Sequence, residues 1–195
     1  MIRANAVTVI LIIANVLCFV GEMLLGGSED AQILLEMGAS YFPLVADGEV
    51  YRLFTCMFLH FGITHLMNNM IALGALGSFL EPKTGHVRFL LTYLTGGIFG
   101  NVLSAGWEWL TGEYTVSVGA SGGVFALFGC LLFLFLFRRN TVQELSFVRM
   151  VLALICLFAG SFEANVDMMA HLGGFAGGFA VSSATGWRNR KYMEK

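Results

Sequence analysis

Long uncharged apolar stretches constrain this chain more than any other feature of its sequence. The stretch from Phe89 to Trp107 contains no charged side chain, and about 20 mostly apolar residues allow a helix to cross the hydrocarbon core of a bilayer. Of the 195 residues, 57% are hydrophobic and 12% are charged, which is about half the charged fraction of soluble domains. The sequence therefore predicts a membrane protein and excludes a soluble enzyme. The net charge of −2 gives no reason to expect a nucleic-acid partner.

Six stretches are long and apolar enough, or nearly so, to form membrane-spanning helices. They cover approximately residues 6–25, 65–80, 89–107, 119–137, 145–162 and 168–187. The remaining connections are short except for the first, and no internal repeat is visible. We therefore expect one domain over residues 1–195, an all-α membrane protein with six transmembrane helices in a bundle.

The basic residues predict the orientation of these spans. Ten of the 11 Lys and Arg side chains lie on one side, before the first span, after the last span, in alternate loops or, for Arg149, near the start of the fifth span, and only Arg52 lies on the opposite side. Cationic loops stay in the cytoplasm, so both termini are predicted to be cytoplasmic. The first span is expected to be a retained helix, because Val20-Gly21-Glu22 offers no signal-peptide cleavage site.

The connection from about Gly26 to Thr64 is too long for a turn, and it carries apolar stretches that a solvated loop would not need. These stretches predict a loop that is partly embedded in the membrane interface beside the bundle. A simple extracellular loop is the alternative, and the apolar content argues against it. On the same side, the short link from Glu163 to Asp167 is expected to cap the bundle between the last two spans.

Polar groups within membrane spans are costly and are therefore candidates for function. The first candidate is Ser121, within Gly119-Ala120-Ser121-Gly122-Gly123. A serine flanked by glycines resembles a nucleophile elbow, where small neighbours let a carbonyl approach the hydroxyl; helix packing is the alternative for an isolated instance. A helix from Ser121 to Phe137 would be about 25 Å long, short of a core of about 30 Å. Ser121 should then lie below the outer boundary, at a helix N-terminus whose free N–H groups suit an oxyanion.

The second candidate is His171, in the sixth span. Gly174 and Gly178 are four residues apart on one helical face, and His171 lies about one turn earlier on nearly the same face. Glycine allows the helix to contact a neighbour backbone to backbone, which would bring His171 close to whatever that neighbour carries. A close-packed interface with an incidental histidine is the alternative.

The third candidate is the pair His65 and Asn69 at the start of the second span. Their spacing of four residues points both side chains the same way on a helix, where two neutral donors could stabilise an oxyanion. A zinc site is the alternative, since three histidines, His60, His65 and His171, could ligate the metal. No further ligand has a helical spacing with His65 and His171, and no H-E-x-x-H motif is present. The sequence thus predicts neither a metal nor another cofactor, and His60 is expected to order the loop.

Together these residues resemble the rhomboid intramembrane serine proteases, in the small six-span bacterial form. The family pattern GxSG matches residues 119–122, AHxxGxxxG matches residues 170–178, and HxxxN matches residues 65–69. Leu76-Gly77 with Glu81 and Gly85 matches after the second span, and Tyr51-Arg52 corresponds to an aromatic–arginine pair in the long first loop. The resemblance implies a rhomboid-like bundle and covers nearly the whole chain.

The resemblance implies that Ser121 is a nucleophile and His171 its general base, with an oxyanion hole made by the Ser121 backbone N–H and the side chains of His65 and Asn69. The glycines at 119, 122, 174 and 178 support this site. Phe125 stands where many relatives have a tyrosine that stacks on the histidine, so stacking is kept and a hydroxyl is lost.

Two further expectations concern charged residues on the outer side. Arg52 should be structural, bonded to loop carbonyls or lipid headgroups. Asp167 lies one turn before His171 and could orient it, but an acid at the water boundary with no further role is the interpretation we prefer from sequence.

The function implied is an intramembrane serine endopeptidase of the cell (inner) membrane, with its site opening to the periplasmic or extracellular side. Its partners would be single-span or multi-span membrane-protein substrates and the lipid bilayer, with no oligomer required. The alternative is an inactive rhomboid-like module that binds membrane proteins, which the presence of both Ser121 and His171 disfavours. A small transporter is disfavoured because no file of polar residues reaches the cytoplasmic half.

Overall fold

The computed structural model describes residues 5–159 and 166–185, and these ranges are almost entirely helical. One isolated antiparallel bridge, between Ser40 and Ser117, is the only extended pairing within them. Nine α-helices lie in the described ranges: α1 Ala6–Leu25, α2 Ala31–Glu36, α3 Phe42–Ala46, α4 Arg52–Thr55, α5 Gly62–Thr84, α6 His86–Thr111, α7 Ser121–Phe137, α8 Phe147–Ala159 and α9 Met168–Ala184.

Each predicted span coincides with one of the six longer helices, and the prediction of an all-α membrane protein is confirmed. Helices α5 and α6 extend beyond their predicted spans at both ends. Helix α7 begins at Ser121 rather than at residue 119, because Gly119 has φ +135°, which is incompatible with a helix. The predicted ends of the last two spans, residues 160–162 and 186–187, lie outside the described residues.

Three of the described helices, α1, α5 and α6, are long and apolar enough to cross a membrane by length and composition. Helix α7 is apolar but has only 17 residues, and α9 has the same length. The chain is a multi-pass membrane protein, and the count of six spans stays a prediction.

The centre of the bundle is formed by α6, α7 and α9, which make the most extensive contacts of any helices described. Glycines allow this approach. A Cβ atom added at Gly174 would overlap the carbonyl oxygen of Gly122, and one added at Gly178 would overlap the carbonyl oxygen of Ala126. A Cβ at Gly100 would overlap the carbonyl oxygen of Ala170. We call Gly100, Gly122, Gly174 and Gly178 the glycine seam. It brings the backbones of the three helices together, as in other membrane bundles.

The long first connection is folded into the short helices α2, α3 and α4 with a small core of its own. Leu34, Ala39 and Leu59 are buried there. The Arg52 guanidinium donates to the carbonyl oxygens of Leu35 at 2.6 Å and Ala39 at 3.0 Å. The expected structural role of the outer arginine, bonding to loop carbonyls, is thus confirmed.

Candidate active site

Ser121 and His171 meet where α7 and α9 are held together by the glycine seam. The Ser121 hydroxyl Oγ lies 2.8 Å from His171 Nε2, within hydrogen-bond distance, although the residues are 50 positions apart in sequence. His171 is 7% exposed and Ser121 is partly exposed. An alcohol in direct contact with an imidazole can pass its proton to the ring nitrogen, which is the arrangement that activates a serine.

The hydroxyl lies at the start of a helix whose first N–H groups have no side-chain cap. Ser121 is the first residue of α7, and the N-cap residue Ala120 has no side chain that could accept from them. The preceding turn requires Gly119, whose φ of +135° is unfavourable for other residues. Its N–H donates to the carbonyl oxygen of Cys56 at 2.9 Å, which fixes the turn against the first loop. Free N–H groups and the positive end of the helix dipole therefore face the neighbourhood of Ser121 Oγ.

Phe125 forms one wall of the site, one turn after Ser121. Its ring is stacked on the His171 imidazole, with ring centroids 4.0 Å apart and planes inclined by 14°. This contact limits rotation of the imidazole and presents an apolar surface on one face of it.

His65 lies on the other side of Gly119. A Cβ atom added at Gly119 would be 2.8 Å from His65 Cε1 and 3.6 Å from Ser121 Oγ, so the glycine separates the two side chains without filling the space between them. Asn69 is buried one turn further along α5, and its side-chain nitrogen donates to the His65 carbonyl oxygen at 3.1 Å. One of its two N–H bonds is therefore used within its own helix.

His60 supports this region from the first loop. It is fully buried, its ring packs edge-on against the His65 ring with centroids 5.2 Å apart, and its Nε2 accepts the Ala120 N–H at 3.5 Å. Burial, reinforced by the neighbouring His65, lowers the pKa of His60 to about 3. The ring is therefore neutral at ordinary pH and can act as an acceptor, in agreement with a role in ordering the loop.

Two residues beside the site were not singled out from sequence. Asn101 on α6 donates through its side-chain nitrogen to the Leu53 carbonyl oxygen at 2.8 Å and to Cys56 Sγ at 3.1 Å, which anchors the segment that holds Gly119. Burial raises the pKa of the Cys56 thiol to about 12, so it remains protonated and does not compete as a nucleophile. An amide within an apolar span was the available signal for Asn101.

The expectation that Asp167 has no further role is wrong. It is partly buried, and its carboxylate accepts hydrogen bonds from the hydroxyls of Ser104 and Ser117 and from the Ala170 N–H. The sequence had no signal for the two serine bonds, because both serines are distant from Asp167 in the chain. The rest of the predicted cap, residues 163–165, lies outside the described residues.

In the described part of the chain, no group of three or more His, Cys, Asp or Glu side chains could hold a metal ion. His86, which is remote from the site in the bundle, contacts Glu81 with its Nδ1 2.6 Å from Oε1. The site is thus defined by hydroxyl, imidazole, amide and backbone groups within a helical membrane bundle.

A helical membrane bundle that pairs a partly exposed serine with a buried histidine is the arrangement expected of intramembrane hydrolases, and comparison with known proteins identifies the family. The Rhomboid domain model matches residues 47–188. The chain is 36% identical over 180 residues to Rhomboid protease GluP of Bacillus subtilis (strain 168), an alignment that covers 92% of this chain and 34% of that protein. It is 42% identical over 139 residues to the same organism's Putative rhomboid protease YdcA, covering 71% and 68%.

A third relative is RHOMBOID-like protein 5 of Arabidopsis thaliana, 36% identical over 184 residues, which represent 88% of this chain and 57% of that protein. This chain belongs to the rhomboid family. It spans about a third of the length of the GluP relative and about two thirds of that of YdcA.

Proposed function

We propose that this protein is an intramembrane serine endopeptidase, with Ser121 as the nucleophile and His171 as the general base. The observation that carries the proposal is the 2.8 Å contact between Ser121 Oγ and His171 Nε2. The pair lies at an uncapped helix N-terminus inside a membrane bundle. Polar side chains are costly to place there, so the pair is a candidate for function. Membership of a family whose relatives are named proteases supports the same reaction.

Ser121 Oγ attacks the carbonyl carbon of the scissile peptide bond as its proton passes to His171 Nε2. The tetrahedral intermediate collapses when His171 returns that proton to the leaving amine, and the peptide bond breaks to leave an acyl ester on Ser121. A water molecule, deprotonated by His171, then hydrolyses the ester and restores the serine. The stacking of Phe125 keeps the imidazole in one orientation through both steps.

The negative charge on the carbonyl oxygen would be stabilised by the Ser121 backbone N–H together with the side chains of His65 and Asn69. The uncapped N-terminus of α7 supports the backbone contribution. The proximity of the His65 ring to the Gly119 turn supports the second donor. Asn69 contributes through the N–H that is not needed for its bond to the His65 carbonyl.

The substrates would be single-span or multi-span membrane proteins whose helices unwind locally to expose a peptide bond within the bilayer. The protein would reside in the cell membrane with six spans and cytoplasmic termini, and the site would open to the periplasmic or extracellular side. The placement of ten of the 11 basic residues supports this orientation. Nothing in the proposed mechanism needs a cofactor, a nucleic acid or a second copy of the chain.

The test is cleavage of a reporter membrane protein by the full chain reconstituted in lipid vesicles, with parallel labelling by a fluorophosphonate. The wild type should cleave the reporter and become labelled at Ser121, because only an activated serine reacts. Ser121→Ala should lose both reactions, and His171→Ala should lose nearly all cleavage.

The matched control is Ser183→Ala, on α9, whose hydroxyl donates to the Ala180 carbonyl within its own helix. It should cleave and label like the wild type. Cleavage by folded Ser121→Ala would exclude the nucleophile. A folded wild type that is neither labelled nor active on any reporter would instead indicate the inactive membrane-protein-binding module.

A further inference from the structure

The carboxylate of Asp167 joins three segments that are separate in sequence. Asp167 is the N-cap residue of α9, and its Oδ1 accepts the Ala170 N–H at 2.9 Å. Its Oδ2 accepts the hydroxyl of Ser104, on α6, at 2.6 Å and the hydroxyl of Ser117, on the loop before α7, at 2.7 Å. Hydrogen bonds to a carboxylate are shorter and stronger than those to a neutral acceptor. A negative charge is also favoured at a helix N-terminus.

Two of these segments carry the reacting side chains. Ser117 precedes Ser121 by four residues, and its backbone is paired with Ser40 of the first loop. Asp167 precedes His171 by four residues, and its carbonyl oxygen accepts the His171 N–H at 3.2 Å. One side chain is therefore bonded both to the loop that leads into the serine and to the first turn of the helix that carries the histidine.

We propose that Asp167 is a positioning residue that sets the distance and angle between Ser121 Oγ and His171 Nε2 by tying the Ser117 loop to the start of α9. The inference rests on the proposed function. Asp167 acts on the two reacting side chains through the placement of the backbone segments that carry them. The glycine seam holds α7 and α9 together along their length, whereas the Asp167 bonds fix the ends of the two segments at the site itself.

The chain offers a matched control on the same loop. Glu108 on α6 accepts the N–H and the hydroxyl of Thr115, both at 2.8 Å through Oε1. It anchors the loop two residues before Ser117, and within the described residues it makes no bond to α9. Removal of Glu108 therefore loosens the loop without separating it from the helix that carries His171.

The experiment compares Asp167→Ala, Asp167→Asn, Ser117→Ala and Glu108→Ala in the full chain, in vesicles. It measures kcat and KM on the reporter, the rate of fluorophosphonate labelling at Ser121, and the midpoint of unfolding. Asp167→Ala should lower kcat by about 10- to 100-fold, since a displacement of about 1 Å can have that effect. Its KM should change by less than about threefold, because substrate contacts are not altered, and labelling should slow by a factor similar to that for kcat.

Asp167→Asn keeps an oxygen for the Ala170 N–H and should recover a large part of the lost rate. Ser117→Ala should lower kcat with little effect on KM, and it carries the test together with Asp167→Asn if Asp167→Ala does not fold. Glu108→Ala should lower the unfolding midpoint while kcat stays within about twofold of the wild type.

Wild-type kcat and labelling in folded Asp167→Ala, or in both milder variants if it does not fold, would overturn the inference and leave the proposed function intact. Equal losses of kcat in Glu108→Ala and Asp167→Ala would also overturn it, because general loop stability would then explain both. A wild type that neither cleaves nor labels would overturn the proposed function and this inference with it.

Discussion

Two regions of this bundle join helices in opposite ways. The glycine seam joins α6, α7 and α9 by removing side chains, so that backbones touch. The second region joins α1 to the end of α5 through one charged side chain, Glu81, which is fully buried. Both serve the same purpose in a medium where the hydrophobic effect does not drive helices together.

The Glu81 carboxylate accepts hydrogen bonds from the backbone N–H groups of Val7 and Thr8, each at 2.8 Å, and from the Thr8 hydroxyl. Its Oε1 also lies 2.6 Å from His86 Nδ1. We call this group the carboxylate clamp. Val7 and Thr8 belong to the first turn of α1, whose N–H groups have no partner within the helix, so a residue of one helix caps the start of another. The seam therefore fixes distances along whole helices, whereas the clamp fixes one end through a single group. The seam should tolerate no added atom at Gly100, Gly174 or Gly178, and the clamp should tolerate change in proportion to the hydrogen bonds it loses.

The largest expected effect is that of Gly178→Ala in the seam. The added methyl group would overlap backbone atoms of Ala126, which cannot rotate away, so α7 and α9 must separate. We expect the free energy of unfolding to fall by about 3 kcal/mol or more, measured by unfolding in mixed detergent, with a parallel loss of fluorophosphonate labelling.

Gly106→Ala is the control, since a Cβ at that position of α6 has open space around it. It should be neutral or stabilising by up to about 1 kcal/mol, because alanine favours a helix over glycine. Equal destabilisation by the two variants would mean that the seam does not depend on close contact.

The next effect in size is that of Glu81→Ala in the carboxylate clamp. It leaves the N–H groups of Val7 and Thr8 without their acceptor, and we expect a loss of about 2 kcal/mol in the free energy of unfolding. Glu81→Gln keeps one acceptor oxygen and should lose about half as much. Labelling at Ser121 should stay within about twofold of the wild type in the folded variants, and a strong loss of labelling would show that the two regions are not separable.

The next effect, measured on the reaction rather than on unfolding, is expected for Phe125→Ala. The imidazole of His171 would lose its stacked partner, and kcat/KM should fall by about three- to tenfold, the equivalent of one aromatic contact. Phe125→Tyr keeps the ring and should retain most of the wild-type value. The measurement is reporter cleavage over a range of substrate concentrations, and a more active alanine variant would show that stacking hinders the base.

The smallest effect is expected for Lys83→Ala, which removes an exposed ion pair between Lys83 Nζ and Glu144 at 2.9 Å. Lys83, chiefly by hydrogen bonding, lowers the pKa of the Glu144 carboxyl. A lowered pKa means that the pair stabilises the fold above the usual pKa of 4.5 and that this contribution is lost as the pH falls further.

Exposed pairs contribute little, so the unfolding midpoint of Lys83→Ala at neutral pH should equal that of the wild type. A clear drop in the unfolding midpoint would show that this ion pair stabilises the fold, as the carboxylate clamp is expected to do.

The helices were predictable because the backbone N–H and C=O groups of an apolar stretch in lipid must bond to each other, which a helix allows. The ends of the helices were less predictable. Helix α5 continues through Glu81-Pro82-Lys83, which a search for apolar residues excludes, and only the single residue Gly85 separates it from α6. The meeting of Ser121 with His171 had a local signal, because His171 shares a face with Gly174 and Gly178. The partners of Asn101, and the two serines bonded to Asp167, had none, since these bonds join segments more than 40 positions apart, and folding alone brings them together.

The joint at Gly85 has a mechanical consequence. Helix α5 runs from that joint to His65 over 20 residues, a rigid rod of about 30 Å. A tilt of about 5° at the joint would swing the far end of the rod through about 3 Å, which is the length of a hydrogen bond. The packing of α5 against α1, α6 and α7 along its length, and not the bonds of Glu81 beside the pivot alone, therefore determines how accurately the imidazole of His65 is placed.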